Sequence, residues 1–279
     1  MRRTTLVFSL TLAVLTIVAR TALAQAEARR PLELVYVANA GVLVRSGETK
    51  VLIDALFEKP NPAYRAPAAD AMEKIMGGAA PFDGLDAVLV THNHSDHFDP
   101  SLAVRFLERV PGPLLLAPAD AVEAMRLVAA DWARIESRVI SLDLAVGEKA
   151  ERRVGPIPIK ALRTLHGQAG SPANLMFLFE LEGWRVFHEG DSPGRIEDFR
   201  AIGLGPGAVD LALFHFWFPY VPALAGLLRE VIEPGHIALM HLPLGDEAAE
   251  PGKLETVRAG YKDIFLLHPG MPAKTFAAR

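Results

Sequence analysis

Short apolar runs alternate with turn-forming residues along the first ninety positions of the chain. Three runs, at 32–38, 41–46 and 50–55, are rich in Val, Leu and Ile and follow one another closely, which predicts a β-meander. Residues 68–78 carry apolar positions at helical spacing and end at two glycines, which predicts a short helix. The apolar run at 85–90 has no polar alternation and predicts a buried strand.

Beyond residue 98, predicted strands and helices alternate. Asp99 is a good helix cap and Pro100 suits a first helical turn, so a helix is predicted to begin there. The pattern predicts helices at 101–110, 119–135, 194–203 and 221–232, strands at 113–117, 138–142, 145–154, 157–165, 209–216, 236–242 and 263–270, and a hairpin over 174–191 that turns at Glu182-Gly183. Many of these strands are apolar on both faces, as in sheets covered by helices. We therefore expect an α/β protein with two sheets and helices outside them.

The densest group of potential metal ligands follows the buried strand predicted before residue 91. The segment THNHSDHFDP, residues 91–100, holds three histidines and two aspartates. Residues two apart on an extended chain point the same way, so His92 and His94 can bind one ion. A bend toward the next helix can turn Asp96 and His97 toward a second ion. The alternative, a histidine-rich surface loop, does not explain why the segment follows a buried strand.

This segment resembles the signature loop of the metallo-β-lactamase superfamily. The opening LELVYVANAGVLVRSGETKVLIDALF is similar to the family's first strands, with Asp54 at the family's aspartate after the third strand. The likeness is greatest to the branch of ascorbate-phosphate lactonases and N-acyl-phosphatidylethanolamine phospholipases. It implies an α/β fold, a four-layer αββα sandwich, with a metal site at one edge of the sheets.

The resemblance also implies three more ligands, each near the end of a predicted strand. The implied set is His92, His94 and His166 for one ion, Asp96, His97 and His241 for the other, and Asp191 as a bridge between them. Seven ligands exceed what one tetrahedral zinc takes and suit two divalent ions. Imidazole and carboxylate ligands favour zinc, and iron and manganese are also compatible.

The remaining histidines and one aspartate carry weaker predictions. Asp54 is expected to orient a ligand loop from behind, with a simple turn residue as the alternative. His188 is expected to pack or to support a ligand, and His215 either lines the pocket or is a hydrogen-bonded core residue. We expect His236 and His268 to serve structure.

The implied chemistry is hydrolysis of an ester, lactone, amide or phosphodiester by a hydroxide held between two ions. As the family implies, Asp96 is the catalytic residue that orients the nucleophile and accepts its proton. A β-lactamase and an iron-dependent oxidoreductase of the same fold remain alternatives, although β-lactamases generally lack the bridging aspartate that Asp191 supplies. A metal-binding protein without catalytic activity is a further alternative.

Composition limits the partners. The formal net charge is −4, which gives no support for nucleic-acid binding, so the expected partner is a small-molecule substrate. The chain has no cysteine, and any metal site must therefore use histidine and carboxylate ligands. The absence of thiols also suits an oxidising compartment.

Residues 1–24 have the pattern of a secretory signal peptide. Arg2 and Arg3 precede an apolar run, and Ala22-Leu23-Ala24 matches a small-residue cleavage site. This predicts export to the periplasm or the medium, with no stable membrane insertion after cleavage; an uncleaved anchor is the alternative. Residues 25–279 contain no linker or repeat, which predicts a single hydrolase domain.

Two segments are candidates for covering the site. Residues 56–82 and 214–224 are rich in proline and aromatic side chains. They are predicted either to form an apolar lid or simply to pack against the fold.

Overall fold

The structure is a computed structural model that describes residues 29–167 and 170–277, so the signal peptide predicted at 1–24 lies outside the described residues. The strands are β1 Leu32–Ala38, β2 Gly41–Ser46, β3 Thr49–Ile53, β4 Ala87–Leu89, β5 Leu114–Pro118, β6 Val139–Leu142, β7 Lys149–Val154, β8 Ile157–Thr164, β9 Asn174–Leu181, β10 Trp184–His188, β11 Leu211–His215, β12 His236–Met240, β13 Ile264–Leu266 and β14 Lys274–Phe276. The α-helices are α1 Ala69–Gly77, α2 Pro100–Arg109, α3 Ala119–Val128, α4 Ile196–Ile202, α5 Pro222–Gly226 and α6 Glu250–Val257.

The strands form two sheets of the same design. One has the order β14-β1-β2-β3-β4-β5-β6 and the other β13-β12-β11-β10-β9-β8-β7. In the first sheet β1, β2 and β3 are antiparallel and β3 to β6 are parallel. In the second, β7 to β10 are antiparallel and β10 to β13 are parallel. Neighbouring parallel strands therefore end at a common edge in each sheet.

Three apolar clusters hold the layers together. The inner faces of the two sheets meet in a core that includes Val44, Leu89, Phe177 and Leu213. The outer face of the first sheet packs on α1, α2 and α3, and the outer face of the second on α4, α5 and α6. The four-layer αββα sandwich expected from the sequence is confirmed. Within 29–167 and 170–277, no helix has the length and apolarity needed to cross a membrane.

Local signals in the sequence also agree with the structure. The side chain of Asp99 accepts a hydrogen bond from the backbone N–H of Leu102 at 3.0 Å, which caps α2 as predicted. Glu182 and Gly183 both have positive φ in the turn between β9 and β10, which confirms the hairpin.

Two predicted helices are wrong in length or form. The helix predicted over 119–135 ends at Val128, and two 3₁₀ turns follow at Trp132–Arg134 and Glu136–Arg138. These turns bury Ile135 completely and lead the chain directly into β6. The helix predicted at 221–232 changes at Leu227 into a π-helix that ends at Ile232. The sequence pattern did not identify α6 or β14.

Candidate metal centre

The loop after β4 is organised by Asp54, which lies behind it. Asp54 accepts hydrogen bonds from the Thr91 backbone N–H at 2.8 Å, from the Thr91 hydroxyl at 2.6 Å and from Nδ1 of His97 at 2.9 Å. Because the Thr91 hydroxyl proton goes to Asp54, its oxygen can accept from Nδ1 of His92, 3.0 Å away. One buried carboxylate thus directs Nε2 of both His97 and His92 away from itself. The structure places Asp54 in the supporting position that the sequence suggested.

Asp54 adopts a conformation that non-glycine residues rarely take. Its φ is 45° at the end of β3, and two other positions at the same edge, Asn39 at 49° and His241 at 64°, are also left-handed. Such conformations are costly and collect at functional sites. Asn39 donates from Nδ2 to the Asp96 carboxylate at 3.0 Å, which fixes that side chain.

In the second sheet, each of four strand ends contributes a single histidine or aspartate. His166 follows β8, Asp191 follows β10, His215 is the last residue of β11 and His241 follows β12. Because β10, β11 and β12 are parallel neighbours, their ends meet at one edge. That edge faces the loop after β4.

The loop that carries Asp191 is held by Asn174. Its side chain donates to the Glu189 carbonyl at 3.2 Å and accepts from the Asp191 N–H at 2.9 Å. Between them Gly190 has a φ of 62°, and a Cβ there would lie 2.3 Å from the Asn174 oxygen. Only glycine fits at this position, so the Gly-Asp pair is a steric requirement of the loop.

The two edges converge on the Asp191 carboxylate. Oδ1 lies 3.3 Å from Nε2 of His97 and 3.3 Å from Nε2 of His215, while Oδ2 lies 3.4 Å from Nε2 of His241, 3.5 Å from Nε2 of His166 and 3.6 Å from Nε2 of His92. His94 joins through Nδ1, which is 3.1 Å from Nε2 of His166. All seven residues of the implied ligand set are therefore together in space.

Three groups of potential ligand atoms stand out among the described residues. The first contains His92, His94, His166 and Asp191, the second Asp96, His97 and His241, and the third Asp191, His215 and His241. The first two groups match the division between two ions that the family resemblance implied, with Asp191 next to both. Their histidine and carboxylate donors suit a dinuclear centre.

Buried polar atoms test whether these residues fit metal ions. Nε2 of His92 and Oδ1 of Asp191 are buried and have no hydrogen-bond partner among the described residues. Leaving such atoms unpaired is unfavourable, and cation coordination would satisfy both. The donor set and these two atoms fit the group that the fold implies.

The charges around Asp191 are strongly coupled. Burial alone would raise the pKa of Asp191, but the neighbouring His97 and His241 hold it well below its ordinary value. Burial works against protonation of His97, yet the Asp191 and Asp54 carboxylates outweigh it and raise its pKa to about 9. Burial lowers the pKa of His92 far below the ordinary value. The centre is therefore a place where negative charge attracts cations, whether protons or metal ions.

His215 is held in the same manner as His97. Its Nδ1 lies 2.8 Å from the buried Glu189 carboxylate, which also accepts its backbone N–H at 2.6 Å. Asp191 and Glu189 together raise the pKa of His215 to about 10 against the opposing effect of burial. The structure thus places His215 at the centre, with Nε2 facing Asp191, and excludes a role confined to the core.

His188 has both ring nitrogens engaged by the backbone. Nε2 lies 3.1 Å from the Ala40 carbonyl, and Nδ1 accepts from the Gly190 N–H at 3.1 Å. Burial lowers the pKa of His188, in keeping with a neutral ring. This residue supports the Gly190 loop, as predicted, and has no nitrogen left for a ligand.

The other two histidines lie elsewhere. His236 is at the opposite end of β12 and pairs with Asp263 at 2.7 Å, in keeping with the structural role expected of it. His268 is exposed beyond β13.

Both candidate covering segments reach the centre. The Tyr64 ring, from segment 56–82, meets the His241 ring edge-on at 4.4 Å. Trp217, from segment 214–224, lies 5.7 Å from the ring of His215. Phe57 and Phe218 are fully buried, so each segment both packs on the fold and borders the site.

Sequence reasoning missed several supporting residues. Four residues hold other residues of the centre in position and do not belong to a ligand pattern themselves: Glu189, Asn174, Asn39 and Thr91. The available signals were weak: Glu189 precedes the Gly-Asp pair, and Asn39 lies between the predicted strands 32–38 and 41–46.

A protein-family profile and several solved structures match this chain. The profile of a family described as "Beta-lactamase superfamily domain" matches residues 33–210. A comparison with curated proteins gives no match.

Three solved structures share the fold at low sequence identity. The metallo-beta-lactamase fold protein YhfI from Bacillus subtilis is 16% identical with a TM-score of 0.58, covering 89% of this chain and 100% of that one. Igni18, a metallo hydrolase from the archaeon Ignicoccus hospitalis, is 17% identical with a TM-score of 0.59, covering 89% and 100%. CmlA, a diiron beta-hydroxylase from Streptomyces venezuelae, is 18% identical with a TM-score of 0.55, and the alignment covers 90% of this chain but only 55% of CmlA.

Proposed function

Because the chain belongs to the beta-lactamase superfamily, we propose that it is a dinuclear metal-dependent hydrolase. The observation that carries the proposal is that seven histidine and aspartate side chains from two sheets are gathered in one place, with Asp191 between the two groups. Igni18, which shares the fold, is a metallo hydrolase, and this likeness supports the proposal.

His92, His94 and His166 would hold one ion and Asp96, His97 and His241 the other, with Asp191 shared. Two bound divalent ions would lower the pKa of a water molecule between them and polarise the substrate oxygen. Zinc suits the donor set, and iron or manganese would also be accepted.

The protein's own groups supply orientation and proton transfer. Oδ2 of Asp96 accepts the hydrogen bond from Asn39 and lies 3.3 Å from Nε2 of His241, which orients the carboxylate and leaves Oδ1 without either contact. In this position Asp96 can orient a water molecule and take its proton. The hydrogen bond that Nδ1 of His97 donates to Asp54 fixes the His97 ring, so the arrangement is set before substrate binds.

Purification, metal quantification and a substrate screen test this proposal. We expect about two ions per chain, and hydrolysis of at least one lactone, ester, amide or phosphodiester that stops on chelation and returns with added metal. A protein that carries two ions per chain and hydrolyses none of these classes would contradict it. β-Lactams belong in the same screen, since turnover of those alone would support the β-lactamase alternative.

Iron-dependent oxidation is the second candidate. The fold likeness to CmlA, a diiron beta-hydroxylase, favours it, and the histidine and carboxylate donors are compatible with iron. Iron as the bound metal, together with oxygen consumption and no hydrolysis, would select this candidate.

We also propose that the enzyme is exported and that it belongs to the narrower branch of ascorbate-phosphate lactonases and N-acyl-phosphatidylethanolamine phospholipases. The pattern of residues 2–24 and the absence of cysteine support a periplasmic or secreted enzyme that acts on small molecules. Mass measurement of the protein from a periplasmic fraction tests the predicted cleavage after Ala24. Turnover of a lactone or of an N-acyl phospholipid would support the narrower branch that the sequence resemblance suggested.

A further inference from the structure

A groove of about 920 Å³ opens at the same edge of the second sheet as the metal centre. Its walls come from α6, the end of β13 and the segment leading into β14, and include Leu254, Phe265, Leu266 and Met271. This volume lies within the range of about 300–1,000 Å³ that is typical of small-molecule sites. The walls are mostly apolar, so the groove suits an apolar ligand.

On two separate segments, a residue that lines the groove directly follows a residue at the metal centre in the sequence. Leu242 lines the groove and directly follows His241. Arg65 also lines it and directly follows Tyr64, whose ring packs on His241.

The two segments are joined, and the strand order explains their position. The Leu244 N–H donates to the Ala63 carbonyl at 2.9 Å, which links the loops. Strand β13 is the parallel neighbour of β12, so its carboxyl end lies next to His241 at the common edge. A substrate that reached both the metal centre and the groove would pass beside Leu242 and Arg65.

Charged side chains at the groove are paired with one another. Arg65 pairs with Glu247 at 2.7 Å, and Arg258 with Glu255 at 3.1 Å. Lys274 lies 3.5 Å from Asp263 and 3.7 Å from the centre of the Phe265 ring. Every Arg, Lys and Glu side chain that lines the groove therefore has an oppositely charged partner among the described residues, so these groups do not favour a phosphate or a carboxylate on the ligand.

We propose that this groove binds an uncharged, apolar acyl chain of the substrate, so that the enzyme is an esterase or lactonase for hydrophobic acyl groups. The inference rests on the proposed function, since the scissile carbonyl would lie at the metal centre. Hydrolysis breaks the acyl C–O bond and adds the water oxygen to the acyl carbon. One proton of the water goes to the departing alkoxide to give the alcohol, and the other is released to solvent, which leaves the acid as its carboxylate.

The test uses p-nitrophenyl acetate, butyrate and octanoate with the metal-loaded full chain. Each buried methylene can contribute up to about fourfold in kcat/KM, and we expect at least about a tenfold rise from acetate to octanoate. The mono-p-nitrophenyl ester of suberate has the length of the octanoate but ends in a carboxylate. It should react at least about tenfold more slowly, because the groove would have to bury a charge.

Two Ala→Trp variants distinguish an effect of filling the groove from a general effect of introducing a surface tryptophan. Ala273 is exposed and lines the groove, so Ala273→Trp should fill the groove and reduce the octanoate-to-acetate ratio of kcat/KM to about one. Ala130 is exposed in the connection after α3 and serves as the matched control; Ala130→Trp should keep the preference. Rates independent of chain length, or equal effects of the two variants, would overturn the groove assignment without affecting the proposed hydrolysis.

Calorimetric titration with 1-octanol tests the groove without catalysis. The wild-type chain and Ala130→Trp should bind it, and Ala273→Trp should bind it at least about tenfold more weakly. If octanol binds in this pattern but no ester of any length, lactone, amide or phosphodiester is hydrolysed, the proposed function fails and the groove stands. Absence of octanol binding would overturn the groove.

Discussion

The two sheets contribute to the candidate metal centre in different ways. The first sheet supplies four potential ligands from one short loop, residues 92–97, and two of them, His92 and His97, are fixed through a single carboxylate, Asp54. The second sheet supplies one side chain at each of several strand ends, and Asp191 depends on Asn174 and a glycine for its position. A continuous motif can be recognised from the sequence, whereas a dispersed set is defined only by the strand order that assembles it.

A second contrast lies within the centre. His97 and His215 each have Nδ1 against a buried carboxylate, and each has Nε2 3.3 Å from the same oxygen of Asp191. His97 comes from the first sheet and has a place in the implied ligand set, whereas His215 comes from the second and does not. Similar support therefore does not establish a similar role, and variants on the two sides can separate them.

The largest effect is expected at Asp191, where the two halves meet. Asp191→Asn removes the charge that lies next to both ligand groups, so the shared site should bind its second ion poorly. We expect kcat/KM to fall on the order of 10³-fold and metal content to drop toward one ion per chain. Asp210→Asn, at the opposite end of the same sheet, should retain both ions. Unchanged metal content and rate in Asp191→Asn would exclude a bridging role.

Particular residues show how far the sequence could predict this centre. His92, His94, Asp96 and His97 could be identified from spacing alone, because neighbours in one loop remain neighbours in space. His166 and His241 required the family resemblance, since nothing local says that their strands end at the same edge. Glu189 could not have been identified, because its role depends on a contact with His215, 26 residues away.

The fold shows the same limit. The apolar runs predicted both sheets and the outer helices, because burial on two faces leaves a strong compositional signal. Strand β14 has only three residues and pairs with β1 across nearly the whole chain, and no local pattern indicates such a pairing. The break at Val128 was missed because helical propensity continues past it, whereas the burial of Ile135 requires the chain to turn.

The next effect in size compares the two supporting carboxylates. Asp54→Asn puts an amide NH₂ where donors from Thr91 and His97 converge, so we expect metal affinity to fall about 10–100-fold. Glu189→Gln should change metal affinity by less than about threefold, because His215 lies outside the implied ligand set. Competition with a chromophoric chelator measures both. Equal losses would place His215 among the ligands and remove the contrast between the two histidines.

A smaller effect is expected at His215 itself. His215→Ala should leave metal content unchanged and alter kcat/KM by about tenfold, by different factors for different ester substrates. His166→Ala is the reference from the same sheet and should lose metal. Metal analysis beside a substrate panel distinguishes a pocket residue from a ligand. A His215→Ala protein that loses an ion as His166→Ala does would contradict the assignment.

The smallest effect concerns Tyr64, a side chain of the first half that packs on a histidine of the second. Tyr64 places its ring edge against His241 from the loop after β3, and burial together with the Asp96 and Asp191 charges raises its pKa to about 12. Tyr64→Phe keeps that ring contact, so we expect KM and kcat to stay within about twofold of wild type. Tyr64→Ala removes it and frees the His241 ring on one side, so KM should rise about three- to tenfold with metal content unchanged. Steady-state kinetics on one ester with all three proteins measures the difference. Equal effects of Phe and Ala would assign the contribution to the hydroxyl, and the tyrosine would then act on the substrate instead of joining the two halves of the site.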